Sequence, residues 1–87
     1  MKIEAYLLAN NEELLMPYLM RHYGQFADVI LLESCSTDRT VEIAKSMGAT
    51  VRSYDMPDEI NDEWFTTLKN TCWKGSDADW VIVLIIL

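Results

Sequence analysis

Glycine, histidine, cysteine and basic side chains are all scarce in this chain, and each scarcity excludes a class of function. There are three glycines among 87 residues. With no GxGxxG and no GxxxxGKS/T pattern, a backbone cradle for a pyrophosphate is poorly supported, so dinucleotide-fingerprint and P-loop readings fall. The single histidine, His22, lies in the apolar stripe of a predicted helix and reads as a partly buried helix residue, not as a base or metal ligand. Ser34 and Ser36 have no neighbouring histidine and no elbow motif, which leaves a nucleophilic hydrolase without its parts. Cys35 and Cys72 form no CxxC or Cys/His cluster and read as reduced thiols of a cytoplasmic protein. Seven basic residues stand against 14 acidic ones, a net charge of −7. That field argues against a nucleic-acid backbone or an anionic membrane as main partner. A bound phosphate would need a local site such as a helix N-terminus or a metal.

Long hydrophobic runs are absent too. The opening "MKIEAYLLANNEE" has too short an apolar run for a signal sequence. The closing "WVIVLIIL", eight apolar residues, is far below the roughly 20 that span a bilayer. Both read as strands. About half the chain is apolar, 51%, so a packed unit is expected. Its length allows one small domain and no second.

The apolar period switches regularly along the chain. Ile3 to Ala9 is a compact hydrophobic run. Leu15, Tyr18, Leu19, His22, Tyr23 and Phe26 then recur at spacings of three and four, predicting a helix whose first turns hold Pro17. Val29 to Leu32 is a second strand, followed by "STDRT", which offers Ser36, Thr37 and Asp38 as helix caps. Val41, Ile43, Ala44 and Met47 supply that helix's buried stripe, and Gly48 sits where a left-handed C-terminal residue is wanted. Ala49 to Tyr54 forms the third strand. "DMPDEINDE" suits a helix start, and Ile60, Trp64, Leu68 and Cys72, joined by Phe65 and Trp73, mark one face of the third helix. "KGSDAD" ends it, and the closing run is the fourth strand. Continuously apolar strands alternating with helices predict an α/β fold, β-α-β-α-β-α-β, with a parallel sheet covered on both faces.

In such sheets ligands bind outside the carboxyl ends of the strands. "NNEE", "ESCSTD" and "DMPDE" follow the first three. Glu33 and Asp55 close the second and third strands, where a carboxylate can accept hydrogen bonds from a ribose or base. Asp38 stands there as well, with helix capping as its competing role. Asp58, Glu59, Asp62 and Glu63 read as a solvated helix start. Trp64, Trp73 and Trp80 read as packing residues.

"YLLANNEE", "VILLESCSTDRTVEIAKSMGATV" and "LKNTCWKGSDADWVIVL" in that order resemble the nucleotide-binding half of the family 2 glycosyltransferases of GT-A fold. The middle segment resembles the family's acid-x-x-Ser-Thr-Asp-x-Thr motif, Lys69-Asn70 its basic-Asn pair, and Asp79-Trp80 the approach to its metal motif. The resemblance implies that residues 1–87 form a single truncated, Rossmann-like domain binding a nucleotide-sugar such as a UDP-sugar. Asn10, Asn11 and Glu12 would line the nucleotide pocket. Glu33, in place of the more usual Asp, would meet the ribose or base, with Asp38 beside it, and Asp55 would approach the base. Asn70 and Lys69 would support the diphosphate.

In the intact family a DxD-like motif ends the fourth strand and holds a divalent cation, Mn or Mg, that neutralises the departing diphosphate. By register its acids fall at Ile85 and Leu87, so the expectation for this chain is no bound metal, no catalytic residue and little activity alone. Two other readings compete. One is a non-enzymatic α/β module that assembles, with itself or another chain, through its apolar fourth strand. The other is a phosphoacceptor-type regulatory domain, for which only Glu12, Glu13 and Asp55 are available.

Overall fold

The computed structural model describes residues 1–9, 11–33, 38–53 and 62–86. Seven elements alternate along it: β1 (Ile3–Ala9), α1 (Met16–Tyr23), β2 (Asp28–Glu33), α2 (Thr40–Ser46), β3 (Thr50–Ser53), α3 (Asp62–Thr71) and β4 (Trp80–Ile86). The strands form one parallel sheet in the order β3-β2-β1-β4. Leu7 on β1 is flanked by Leu31 on β2 and Leu84 on β4. The chain steps outward from β1 to β3 and then returns to the far side of β1. Right-handed crossovers therefore put α1 and α2 on one face and α3 on the other.

This topology explains the unbroken hydrophobic run that opens the sequence. Both faces of β1 are covered, so Ala5 through Ala9 are all buried. Leu7, Ala9, Val29 and Leu31 meet Met16 and Met20 of α1 and Ala44 of α2 on one side. Tyr6, Leu8, Ile30 and Leu32 meet Leu68 and Cys72 on the other. The two edge strands differ sharply. β3 exposes Thr50, Arg52 and Ser53, whereas on β4 Val81 to Ile85 are half-buried hydrocarbon.

α1 corrects the expected stripe. Leu19 and Tyr23 of that stripe do pack on the core, but the residues buried beside them are Met16 and Met20, so the ridge is rotated away from Leu15, Tyr18, His22 and Phe26. Tyr18, His22 and Phe26 are exposed. The helix stops at Gly24, so Phe26 belongs to the next turn, where His22 meets the rings of Tyr23 and Phe26 edge-on at 4.8 and 6.0 Å. His22 is thus a surface aromatic, not a partly buried one. Trp73 is likewise 38% exposed, because α3 ends before it at Thr71. Pro17 does fall in the first turn of α1, and Gly48 takes the expected left-handed backbone, φ 101°.

The amino-terminal ends of β1 and β4 are fastened by a polar latch. The Lys2 carbonyl accepts from the amides of Asp79 (2.8 Å) and Trp80 (3.2 Å), and the Lys2 amide donates to Asp79 Oδ2 at 2.7 Å. The Lys2 ammonium pairs with Asp77. Glu4 Oε1 accepts the Ser76 hydroxyl and, at 2.9 Å, the hydroxyl of buried Tyr6. The Arg52 guanidinium lies 5.8 Å from the Tyr6 ring centroid on the same face.

Ser76 above all, then Tyr6 and the nearby Lys2 ammonium, hold the Glu4 carboxyl below its ordinary value of 4.5. The unfolded chain then binds the proton more tightly than the folded one. The latch contributes fully above that ordinary value and is lost as pH falls through the lower folded one. Glu4→Gln is expected to flatten this part of the acid dependence, read as the urea midpoint followed from about pH 6 to about pH 3. An unchanged acid limb would remove Glu4 from the account.

Candidate site at the carboxyl ends of the strands

The strand order reverses between β1 and β4, so the crevice such sheets use for ligands opens at the carboxyl ends of these strands and of β2. Immediately beyond β1, Asn11 turns the chain with φ 54°, a left-handed backbone that asparagine tolerates better than most residues. The Glu12 carbonyl then accepts from the amides of Leu15 (3.2 Å) and Met16 (2.9 Å), leading the chain into α1. Asn11 is exposed and Glu12 half-buried. Beyond β2, Asp38 and Thr40 begin α2, and they face the same loop.

Thr40 is fully buried, and its hydroxyl is satisfied on both sides. Oγ1 accepts the Glu12 amide at 2.8 Å and donates to Asp38 Oδ1. Asp38 Oδ1 also accepts the Thr40 amide at 3.0 Å, while Oδ2 accepts the Glu13 amide at 3.2 Å. The Thr40 hydroxyl first, then these amides, hold the Asp38 carboxyl below the usual carboxylate range. Asp38 therefore caps α2 and, in addition, reaches across to the loop after β1. Arg39, the residue just before the first helical one, makes no side-chain cap bond and instead pairs with Glu42 at 3.2 Å.

Glu33, half-buried at the end of β2, lies in register with Ser53 of β3, whose hydroxyl is 3.5 Å from Glu33 Oε1. Glu12 and Asp38 are thus brought into one hydrogen-bonded group, with Glu33 on the same carboxyl edge of the sheet. Asn70 is exposed on α3, which covers the other face from α1 and α2. Asn10, Asp55 and the cap candidates Ser36 and Thr37 lie outside the described residues, as do Cys35, Leu87 and the Lys69 side chain. Burial pushes the Cys72 thiol up, away from reactive thiolate character.

Sequence reading placed Thr40 at the close of the Ser-Thr-Asp-x-Thr motif and Asp79 at the approach to the fourth strand, but missed the contacts each one makes. Thr40 follows Asp38 by two, the spacing at which an aspartate meets a nearby amide, and that local signal was available. Asp79 bonds to Lys2, and only the pairing of β1 with β4 brings them together.

Among the described residues no enclosed cavity forms, no three His, Cys, Asp or Glu side chains gather as a metal site, and no helix is long and apolar enough to cross a membrane. At the position where the resemblance expects the first metal-binding acid, Ile85 lies in register with Leu8 and packs against the apolar cluster on the α3 face. A hydrocarbon side chain offers a divalent cation no donor, and the residues here do not fit one.

No protein-family model matches the sequence, and no curated protein does. Solved structures do match it. Glucosyl-3-phosphoglycerate synthase from Mycobacterium tuberculosis, in complex with Mn2+, UDP and glucosyl-3-phosphoglycerate, aligns over 97% of this chain and 33% of its own, at 23% identity and TM-score 0.66. The UDP complex of that enzyme aligns over 60% of this chain and 21% of its own, at 32% identity and TM-score 0.54. A structure described as a mycobacterial protein aligns over 77% of this chain and 26% of its own, at 23% identity and TM-score 0.59. The chain thus spans a third or less of the length of these proteins. Its α/β fold, a four-stranded parallel sheet with alternating helices, matches the Rossmann-like half of the GT-A fold.

Proposed function

We propose that this chain is a nucleotide-sugar-binding domain of glycosyltransferase type, taking a UDP-sugar at the carboxyl ends of β1 and β2. The observation that carries the reading is the group formed by Glu12, Asp38 and Thr40 beside Glu33 at the ligand edge of a β3-β2-β1-β4 sheet. Its support is the likeness to a UDP-binding enzyme. Asn11 and Glu12 would border the nucleotide, and Glu33 would accept from ribose or base hydroxyls and N–H groups. Asn10, Asp55, Lys69 and Asn70 remain in the proposed set as base and diphosphate contacts. Transfer itself needs a stabilised diphosphate and an activated acceptor hydroxyl. With Ile85 where a metal-binding acid would stand, this chain alone binds donor without transferring it.

Calorimetry tests the reading. UDP and UDP-glucose are expected to bind with Kd of about 0.1–1 mM, tighter than ADP and unchanged by Mn2+. No preference for the uridine nucleotide would overturn the nucleotide assignment. Manganese-dependent micromolar binding would overturn the view that the metal position is lost.

One observation favours a second reading, a module that assembles through β4. That edge strand carries no charged residue from Trp80 to Ile86, and Trp80 is 65% exposed. In a chain of net charge −7 it is the uncharged stretch on which two copies could pair. Sedimentation at high micromolar concentration decides: a strictly monomeric chain sinks it.

A further inference from the structure

We infer that Asp38 and Thr40 are positioning residues, a clasp that holds the loop carrying Asn11 and Glu12 against the start of α2. The inference rests on the reading of this edge as a nucleotide site only for its effect on binding. The clasp itself is a matter of geometry.

Two consecutive amides of one loop, Glu12 and Glu13, are held by two side chains of another, 28 and 25 residues away in sequence. Neither the core nor the helix requires this. A valine would fill the Thr40 position without a hydroxyl to satisfy, and an aspartate can cap α2 without reaching Glu13. A hydroxyl with no exposure at all is costly unless every bond is made, and here Oγ1 both accepts and donates. What the buried hydroxyl adds is a fixed place for the Glu12 amide. Fixing it also supports the left-handed turn at Asn11 and the Glu12 carbonyl that begins α1. Asp38, Thr40, Glu12 and α1 therefore move as one body, and the loop meets its ligand with its backbone already ordered. Both Asp38 oxygens are engaged within the chain, so its contribution to binding runs through the loop.

Amide hydrogen exchange by NMR, combined with UDP titration, tests this in wild type, Thr40→Val, Thr40→Ser and Asp38→Asn. Thr40→Val keeps the shape and removes the hydroxyl. Exchange at the Glu12 amide should accelerate about tenfold or more while Leu7 stays protected, and UDP binding should weaken. Thr40→Ser retains the hydroxyl and should restore both. In Asp38→Asn an amide nitrogen would face one of the donors, so exchange at the Glu13 amide should rise. Unchanged Glu12 exchange in folded Thr40→Val overturns the clasp. Faster exchange with undiminished UDP affinity overturns its positioning role. Should Thr40→Val fail to fold, Asp38→Asn carries the test at the Glu13 amide, and unchanged Glu13 exchange with undiminished UDP binding there overturns the clasp. A wild-type chain that binds no UDP, with exchange behaving as expected, leaves the clasp standing and removes the nucleotide reading.

Discussion

Leu7→Ala is expected to cost about 2–5 kcal/mol of unfolding free energy, read as a fall in the urea midpoint at unchanged slope. Leu7 has no exposure and sits on the strand that pairs on both sides, flanked by Leu31 and Leu84 and covered by Met16 and Met20. Neighbours held by two hydrogen-bonded ladders have little freedom to close the cavity. An 87-residue chain has about 4–13 kcal/mol in all at typical per-residue stability. The loss therefore takes a large share and populates unfolded chains under native conditions. Leu84→Ala provides the comparison. Its site on the edge strand is half-buried, so a cost of about 1–2 kcal/mol is expected. Equal costs at the two positions would mean that β4 is covered in solution by something further.

Replacing Ile85 and Leu87 together by aspartate is expected to change binding more than any other substitution. If the register with the metal-binding strand of the glycosyltransferase fold is right, two carboxylates are delivered to the carboxyl edge beside the proposed diphosphate position. UDP should then bind at least about tenfold tighter with Mn2+ than without it, a gain of about 1.4 kcal/mol, and magnesium should act in the same direction. Ile85 packs among half-buried and buried apolar residues on the α3 face, so the variant also loses some stability. Ile85→Ala with Leu87→Ala separates that loss from the gain. Calorimetry showing no manganese dependence in a folded aspartate variant would sink the register at this strand.

β1 and β2 were legible in the sequence because they are buried on both faces. Ile3 to Ala9 reads as one hydrophobic run, and a run buried by neighbours on every side needs no further clue. The faces of short helices were less legible. Leu15, Tyr18, His22 and Phe26 form as good a stripe as Met16, Leu19, Met20 and Tyr23, and an eight-residue helix gives periodicity too few turns to choose between them. The packing of α1 on Leu7 and Leu31 chose, and no local pattern encodes that. At the candidate site, placing Glu12, Glu33 and Asp38 at strand ends followed from the alternation of elements. The bond from Asp38 to Glu13, and the joining of Ser76 to Glu4, did not. Each links segments that meet only once the sheet has formed, so each depends on tertiary structure for its existence.

The latch between Lys2 and Asp79 joins residues 77 apart in sequence, and this separation imposes an order on synthesis. β1 is an inner strand of the sheet, yet its second neighbour, β4, is made only after α2, β3 and α3. Until then one ladder edge of β1, and the Tyr6 and Leu8 face that α3 and β4 later cover, stay open to any passing strand. Closing so long a loop is slow compared with forming the local β1-α1-β2 contacts. The nascent chain therefore passes through a three-stranded stage in which β1, buried from Ala5 to Ala9 in the finished sheet, lies at a free edge, the stage at which a chaperone or a wrong partner competes.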